Sequence, residues 1–417
     1  MNINFKIEQA VFADLSKILN LYFSSYGNNY PVNIGMDQKA ITNALKDPEN
    51  YYVIVAKTMV IPEERALIIG CCIFAIDQKY KIGKVVGVAI HDDYRRLGVA
   101  SSLIAQGKQI FLEKQQGEVL INTLYTTTRT VAISHQLSFM QNGFIPLGIF
   151  PNARKVDDYE TFTLMGAFRK GVLEKRAKVE RVPMALMPIL KVVHDSIPGW
   201  RLPAGVDDVS GVVTSRKHFD EGEVGSSYKG MGSSKGSFSE EFEFIEAAHF
   251  VEKRFYAVFA DDMDSTFYPF HRPNLLIYGK RSKIEIYAAY NKQDHYCVII
   301  VASQVMITLK ENFKKLILDM KRHGISYVEI LVRMSRFERL AFYMDNEFIP
   351  SAIYPAMREI EGEMHDYVLL TRTMEPLDFR GINIHHAFRP FISQYTSQWI
   401  QRHINSFEVY YGRENEI

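Results

Sequence analysis

The sequence predicts a mixed α/β fold of the α+β kind, in which two domains each hold a central, mostly antiparallel twisted sheet flanked by helices. Three observations predict it. The chain has 417 residues, more than one hydrophobic core usually serves. Helix-like and strand-like segments follow one another along it, and a segment of the first half recurs in the second. We expect a first domain at 1–168, a helical connector and Gly/Ser-rich linker at 169–240, and a second domain at 241–417.

The first elements read as strand, helix, helix and a three-strand meander. Residues 1–8 alternate apolar and polar side chains as a strand does, whereas 12–23 and 36–45 repeat apolar residues at helical spacing. Strand-like runs of apolar and β-branched residues then follow at 51–56, 66–76 and 85–90.

The rest of the first domain contains one strand-helix-strand crossover. The pattern predicts a helix over 99–114, a strand over 119–124, a helix over 131–141 that ends at Asn142-Gly143, and closing strands over 146–150 and 159–165. Together these elements predict a mixed sheet with helices against it.

The connector and the second domain are less regular. We interpret 182–197 as an apolar, helical stretch and 220–239, rich in Gly and Ser, as a linker. Residues 241–259 read as a helix followed by a strand. Later segments predict strands at 274–278, 283–290, 296–302 and 326–331, with a helix at 308–321 between the last two.

One stretch of the first domain recurs in the second, residue by residue. Residues 139–151 and 343–355 share Met, Asn, Phe, Ile, Pro, Ile and Pro in register. Both copies continue to an Asp-Tyr pair, Asp158-Tyr159 in the first and Asp366-Tyr367 in the second. An internal duplication of one domain is the simplest account of this match.

Composition excludes several classes of function. The formal net charge is +1 and basic residues are scattered, so we expect no nucleic-acid or membrane partner. The start of the chain lacks the pattern of a signal peptide, and no apolar run is long enough to span a membrane. Cys71, Cys72 and Cys297 lie in apolar runs and read as buried free thiols. These observations predict a cytoplasmic protein, and no residue spacing predicts a metal site.

A strand-to-helix junction in the first domain has the chemistry of an anion site. An apolar strand over 86–90 passes through a polar turn into a helix that begins near Val99. Such a junction aims unpaired amides of the first helical turn at one point, and the helix dipole adds positive potential there. Gly98 and the small Ala100 leave room for a ligand near the backbone. Arg95 and Arg96 add charge, so the turn suits a pyrophosphate.

This segment resembles the acyl-CoA-binding motif of the GNAT acetyltransferase superfamily, whose pattern is Gln/Arg-x-x-Gly-x-Gly/Ala after a strand. His91-Asp92-Asp93-Tyr94-Arg95 also follows the family's His-Pro-x-Tyr-Arg, with Asp92 in place of the proline. The resemblance covers about residues 1–169. It implies that the turn holds the pyrophosphate of acetyl-CoA and that the strand before it pairs with the pantetheine arm; the residues concerned are Val88, Ala89, Ile90, Arg95, Arg96, Leu97, Gly98, Val99, Ala100 and Ser101.

The catalytic part of the family pattern is incomplete in both copies. Where the family often has a tyrosine that returns a proton to the thiolate, the first copy has Phe139. The second copy has Tyr343 there but no glycine turn at 301–308. Three alternatives remain open: another acid in the first copy, a first copy that binds CoA without turnover, or a composite site across both.

For a first copy with another acid, His135 lies one helical turn before Phe139, and Ser138 and Tyr125 are further candidates. The resemblance then implies an acetyl-CoA-dependent N-acetyltransferase that acts on an amine-bearing acceptor, with a degenerate second domain. The alternative is a non-catalytic acyl-CoA sensor or scaffold.

Overall fold

A computed structural model describes residues 4–26, 38–59, 66–113, 121–155, 158–197, 199–206, 240–260 and 266–403. The predicted linker at 220–239 therefore lies outside the described residues. Within the described ranges the chain forms a large, mostly antiparallel sheet with helices packed on it, which is a mixed α/β fold as predicted.

The first half contains strands, helices and short 3₁₀ turns in the predicted order. Its strands are β1 Phe5–Gln9, β2 Tyr51–Thr58, β3 Ile68–Asp77, β4 Ile82–Ile90, β5 Thr123–Arg129, β6 Ile145–Lys155 and β7 Tyr159–Phe168. Its helices are α1 Leu15–Tyr26, α2 Gln38–Lys46, α3 Val99–Lys108, which continues as a π-helical turn over Gln109–Glu113, and α4 Ile133–Met140.

A short connecting region and the second half follow. The connection holds β8 Arg181–Pro183, α5 Met187–Ser196 and β9 Ala204–Val206. The strands of the second half are β10 Phe242–Ile245, β11 Leu275–Gly279, β12 Glu285–Asn291, β13 Tyr296–Ala302, β14 Tyr327–Arg333, β15 Ile349–Ile360 and β16 Glu363–Thr373. Its helices are α6 Ala248–Val258, α7 Phe313–Arg322, α8 Phe337–Asp345 and α9 Arg389–His403.

One continuous sheet of 14 strands runs through both halves, in the order β1-β2-β3-β4-β5-β7-β6-β15-β16-β14-β13-β12-β11-β10. Read from its two ends, each half has the same succession of strands. The parallel pairs also correspond, since β4 pairs in parallel with β5 and β13 pairs in parallel with β14. The two halves meet at the centre, where β6 and β15 share one described residue pair, Gly148 with Ala352.

The repeated sequence segment folds in the same way in both halves. Asn142 donates its side-chain amide to the backbone of Ser138 at 2.7 Å, and Asn346 donates to Phe342 at the same distance. The next residue has a positive φ in both halves, 80° at Gly143 and 66° at Glu347. The helix ends are therefore alike in hydrogen bonding and in backbone conformation.

The central joint needs a glycine. A Cβ at Gly148 would lie 2.5 Å from the carbonyl oxygen of Ser351 and would also overlap Ala352. Helices α5 and α9 pack against β6 and β15 and cover this joint. One hydrophobic core continues through both halves beneath α3, α5, α7 and α9, and smaller cores lie under α1 with α2 and under α6.

Three predictions about elements were wrong in detail. The strand predicted at 119–124 is β5 at Thr123–Arg129, because its buried polar threonines pair with β7; Thr128 and Thr163 share a hydrogen bond of 2.6 Å. The order predicted at 241–259 is reversed: the alternating residues of β10 form a strand, and α6 follows. The stretch predicted as helical from 182 begins with β8 and a 3₁₀ turn before α5.

Cys71, Cys72 and Cys297 are buried free thiols, as predicted. In the described ranges, no helix combines the length and apolar character that crossing a membrane requires.

Candidate active site

The strand before the predicted anion turn leaves its parallel neighbour midway. Strand β4 pairs with β5 over Ile82–Val85 and Thr123–Thr126. Both strands continue beyond this ladder, β4 to Ile90 and β5 to Arg129. Val86 is a bulge on β4, because Ile73 of β3 pairs with Gly87 whereas Phe74 pairs with Val85. The ladder thus ends at the bulge, and β4 continues beyond it without pairing to β5.

The turn after β4 has an unusual backbone. Arg96 has φ 63° and Gly98 has φ 80°. Two of the three residues that precede helix α3 therefore adopt left-handed conformations. For a residue with a Cβ this conformation costs roughly 1–2 kcal/mol. Positions of this kind cluster at functional sites, and alternating backbone of this type forms concave anion sites.

The start of α3 has free hydrogen-bond donors. Gly98 is the N-cap and lacks a side chain that could bond the first amides, and its carbonyl accepts from the amide of Ser102 at 2.9 Å. In the described structure the amides of Val99, Ala100 and Ser101 donate to no protein acceptor. No atom of the described residues lies within 4 Å of a Cβ built on Gly98, so the side of Gly98 that a side chain would occupy is open.

The two arginines of the turn are exposed but differ in their contacts. Arg95 pairs with Asp92 at 2.7 Å and lies 3.4 Å from the carbonyl oxygen of Ser25 at the end of α1. Arg96 forms no ion pair with any residue of the described ranges. Exposed pairs contribute little to stability, so both guanidinium groups are available to an anion at the turn.

Helix α4 is tied both to the turn and to the second half. Asn142, just after α4, donates to the hydroxyl of Ser101 in the first turn of α3 at 2.9 Å. On the other side, the fully buried Gln136 donates to the carbonyl of Asn383 at 2.9 Å and accepts from the amide of His385 at 2.7 Å. The second half therefore helps to fix the helix that flanks the predicted CoA site.

Two of the predicted catalytic candidates lie on α4. His135 is exposed at the surface of the helix, and Ser138 donates its hydroxyl to the backbone of Ser134 at 3.0 Å. Partial desolvation of the ring, followed by the charges of Arg129 and Arg95, lowers the pKa of His135 below its ordinary value. This imidazole is therefore neutral at pH 7, a state that suits a proton acceptor better than a proton donor.

The third candidate, Tyr125, lies elsewhere. It is buried in β5, its hydroxyl donates to the carbonyl of Pro355 at 2.8 Å, and its ring meets that of Tyr354 at 4.9 Å. Burial raises its pKa well above the ordinary value. The structure thus brings His135 and Ser138 together beside the turn, and it puts Tyr125 at the contact between the two halves. Phe139, at the family's tyrosine position, is buried against Phe144.

The equivalent junction in the second half differs from the turn at Gly98. After β13 the chain makes a 3₁₀ turn over Met306–Leu309, and α7 begins at Phe313 after the N-cap Asn312. Among the described residues from 303 to 312, none has a positive φ. Phe313 is fully buried, and the Asn312 side chain accepts from the amide of Glu240 at 3.1 Å. Tyr343 is buried with rings on several sides.

A partly enclosed cavity of about 330 Å³ lies between the halves. Its wall includes Lys84 of β4 and Thr126 at the end of the β4–β5 ladder, and from the second half Glu329 and His271. Lys84 and Glu329 were not predicted as site residues. Lys84 is the one charge of β4, and Glu329 is a charge within the apolar run that precedes Arg333 in β14, which is the signal that could have indicated them.

One family profile matches part of the first half. The sequence profile of the Acetyltransferase (GNAT) family matches residues 13–136, a range that contains the turn at Gly98 and the first half of α4. Residues 13–136 form a GNAT acetyltransferase domain. No curated protein matches the chain.

The solved structures that are similar to the chain each align with about 40% of it, which is about the length of one such domain. They include the ribosomal-protein-S18-alanine N-acetyltransferase from Escherichia coli, with 15% identity, 40% of this chain and 94% of that chain covered, and a TM-score of 0.31. The spermidine N-acetyltransferase from Vibrio cholerae, in complex with CoA and spermine, has 14% identity, 40% and 95% coverage, and a TM-score of 0.33. A GNAT acetyltransferase from Bacillus cereus has 18% identity, 40% and 98% coverage, and a TM-score of 0.30.

Proposed function

We propose that the protein is an acetyl-CoA-dependent N-acetyltransferase that binds CoA at the turn of residues 95–101 in its GNAT domain. The observation that carries this proposal is the start of α3. Three consecutive amides that have no acceptor among the described residues follow a left-handed glycine with open space beside it, and two exposed arginines lie in the same turn. A pyrophosphate supplies the acceptors and the negative charge that this group of donors lacks.

The end of the β4–β5 ladder extends the site from the turn towards the reaction centre. The pantetheine arm carries an amide chain that can pair with β4 at 88–90, beyond the end of the β4–β5 ladder. The thioester then lies farther along the strand, towards Val86 and Thr126. This direction leads from the turn to the inter-half cavity, whose wall contains Thr126.

The reaction needs two proton transfers from an ammonium acceptor. A base first removes one proton to give the neutral amine, whose nitrogen then forms a bond with the thioester carbonyl carbon. When the carbon–sulfur bond breaks, the CoA thiolate leaves and the second proton passes from the amide nitrogen to sulfur. Neutral His135 is a candidate for a proton relay at the α4 side of the site; Ser138 and Tyr125 remain the other candidates.

We further propose that residues 241–417 are a degenerate GNAT-like copy of 1–168, joined by 169–240. The matching strand order, the corresponding parallel pairs and the shared asparagine caps of α4 and α8 support this duplication. The second copy has no glycine turn at 301–308, so its role is to fix α4 and to contribute walls to the acceptor cavity.

Titration calorimetry with CoA tests the placement of the cofactor. Gly98→Glu puts a carboxylate in front of the free amides and should lower CoA affinity at least about tenfold, which corresponds to about 1.4 kcal/mol. Gly362→Glu is the matched control, because Gly362 has φ 85° and equally open space in the β15–β16 turn. Both variants bear the same strain, so equal CoA affinity in the two variants would refute the site.

An activity assay distinguishes an enzyme from a non-catalytic acyl-CoA sensor. The sensor is an alternative because Phe139, which cannot donate a proton, occupies the position of the family's tyrosine. Purified protein with acetyl-CoA and a panel of amines is followed by the appearance of free CoA thiol. We expect thiol release that depends on an acceptor and that Gly98→Glu abolishes. CoA binding without acceptor-dependent thiol release across the panel would favour the sensor.

A further inference from the structure

The inter-half cavity has a polar floor and aromatic walls. Aromatic side chains from both halves line it, including Phe150 and Phe162 from the first half and Tyr268, Phe270 and Tyr354 from the second. Its volume of about 330 Å³ falls at the small end of the roughly 300–1,000 Å³ of small-molecule pockets. The cavity therefore suits a small molecule rather than a protein side chain that must be inserted with its backbone.

A carboxylate at the floor is surrounded by tyrosine hydroxyls. Tyr268, Tyr296 at 2.7 Å and Tyr327 at 3.3 Å all donate their hydroxyl protons to the carboxylate of Glu329. Each tyrosine thereby uses its one proton, and its oxygen lone pairs remain as acceptors. A carboxylate has about four acceptor positions, so three tyrosines do not use all of them. The cluster can therefore accept hydrogen bonds from a ligand but has no proton left to donate to it. A ligand ammonium is the group that such a cluster receives best.

Lys84 presents the opposite chemistry in the same cavity. Its ammonium makes no hydrogen bond or ion pair with the residues that the structure describes, although Glu329 is near enough for the two charges to attract. Burial lowers the pKa of Lys84 and raises that of Glu329. A lysine has three donors and no acceptor, so a ligand carboxylate is the group that it lacks.

The remaining charged groups of the wall compensate each other. Arg154 and Asp294 form an ion pair at 3.3 Å. Burial, with the charge of Lys84 as a second cause, lowers the pKa of His271 to about 3, so its ring is neutral at pH 7. Glu329 and Lys84 therefore define the charge that the cavity offers to a ligand.

We propose that the inter-half cavity is the acceptor site and that it binds a small zwitterionic amine, with the ammonium at Glu329 and its tyrosines and the carboxylate at Lys84. A ligand with both groups satisfies both charges, whereas an amine alone leaves Lys84 uncompensated and an acid alone faces Glu329. This inference rests on the proposed function, because Lys84 and Thr126 lie where the β4–β5 ladder ends and the thioester is expected. In that reaction the carboxylate of Glu329 takes the first proton of the ammonium, and Lys84 positions the acceptor.

Equilibrium binding to the full chain without acetyl-CoA tests this directly. The probes are the common amino acids, together with the amines and the acids that lack the carboxylate or the amino group, such as phenylalanine, phenethylamine and 3-phenylpropanoate. We expect at least one amino acid to bind at least tenfold more tightly than both of its single-charge analogues. If no amino acid binds, or if an analogue binds equally well, the proposal is wrong.

Variants test which residue binds which charged group of the ligand. The comparison of ligand analogues uses the wild type, so it remains valid even where a variant does not fold. Lys84→Met should reduce the amino acid's affinity to that of the amine, and Glu329→Gln to that of the acid. Lys81→Met, an exposed lysine in the preceding turn, is the matched control. Unchanged affinity in both cavity variants would contradict the proposal.

The same variants distinguish this proposal from the proposed CoA site. Gly98→Glu should lose CoA and keep amino acid binding, whereas Lys84→Met should keep CoA and bind the amino acid no more tightly than the amine. A wild-type protein that binds the amino acid but not CoA would overturn the acetyltransferase and leave the cavity assignment in place. Intact CoA binding with no zwitterion binding would overturn the cavity assignment alone.

Discussion

Single residues in the cavity make stability depend on pH. His271 has a pKa of about 3 in the folded protein, against an ordinary value of 6.5, because burial and Lys84 disfavour its charged form. The unfolded chain therefore binds more protons than the folded one between these values. The free energy of unfolding therefore does not suffer from this histidine above pH 6.5, and it decreases as the pH falls from 6.5 towards 3.

We predict that lowering the pH from 7.5 to 5 costs the wild type on the order of 2 kcal/mol more than the His271→Gln variant. Urea unfolding of both proteins at each pH measures this difference. The exposed His249→Gln is the matched control and should keep the wild-type dependence. Equal pH dependence in the wild type and His271→Gln would show that this ring is not protected from protonation in the fold.

The sequence could predict the turn at Gly98 but not the cavity residues. The signal of the turn is local, since strand, glycine and helix follow one another within a few residues. Lys84 and Glu329 acquire their meaning only when β4 and β14, from different halves, face one space. The family pattern indicated a tyrosine position but gave no hint of the three tyrosines that surround Glu329.

At the scale of elements, α3 depends on a glycine that ordinarily weakens a helix. A Cβ at Gly107 would lie 2.6 Å from Cε1 and 2.9 Å from Cε2 of Phe74 in β3. In an exposed helix, Gly→Ala usually stabilises by roughly 0.5–1 kcal/mol. Here the close packing of helix on strand reverses the sign.

We therefore predict that Gly107→Ala destabilises the protein by about 1–3 kcal/mol, the usual cost of overpacking a core. Chemical unfolding measures the change in free energy. The double variant Gly107→Ala with Phe74→Leu should be more stable than the sum of the two single changes implies, because the smaller side chain makes room. Additive effects would mean that the contact with Phe74 does not explain the need for glycine.

Element types were predictable where the pattern was strong. The meander β2–β4 and the helices α3 and α4 agree with their apolar periodicity. Strand β5 was displaced because buried threonines, satisfied by Thr163 and by the Thr161 carbonyl, look polar in a sequence. The order of β10 and α6 was reversed because aromatic residues in this short stretch fit both periods.

At the scale of the molecule, the two halves share one sheet and one core, so they should unfold together. Gly148→Val forces a side chain into the joint with Ser351 and Ala352. We predict that the wild type unfolds in one cooperative transition. In Gly148→Val we predict that the Tm of this transition falls by several degrees and that both halves lose protection together. Hydrogen exchange of peptides from β3 and from β12 follows the two halves separately.

Gly171→Val is the control for this experiment, because no atom of the described residues lies within 4 Å of a Cβ built on Gly171, although its φ of 84° strains a side chain there. It should leave exchange in both halves close to the wild type apart from local strain. Destabilisation of one half alone by Gly148→Val would show that the halves behave as independent units.

The repeated segment was visible in the sequence, but the way the two halves join was not. Residues 139–151 and 343–355 match in register, and their helix ends have the same hydrogen bonds. The joint rests on the close approach of Gly148 to Ala352, and a glycine in one strand does not indicate which distant strand it meets. The single sheet, and with it the cavity, therefore required the folded structure.

A crystal structure of the protein with CoA would show directly where the cofactor binds. We predict one CoA per chain, with its pyrophosphate within hydrogen-bond distance of the amides of residues 98–101 and its thiol end directed towards Thr126 and the inter-half cavity. CoA bound at the start of α7, or bound elsewhere with the turn at Gly98 empty, would contradict it.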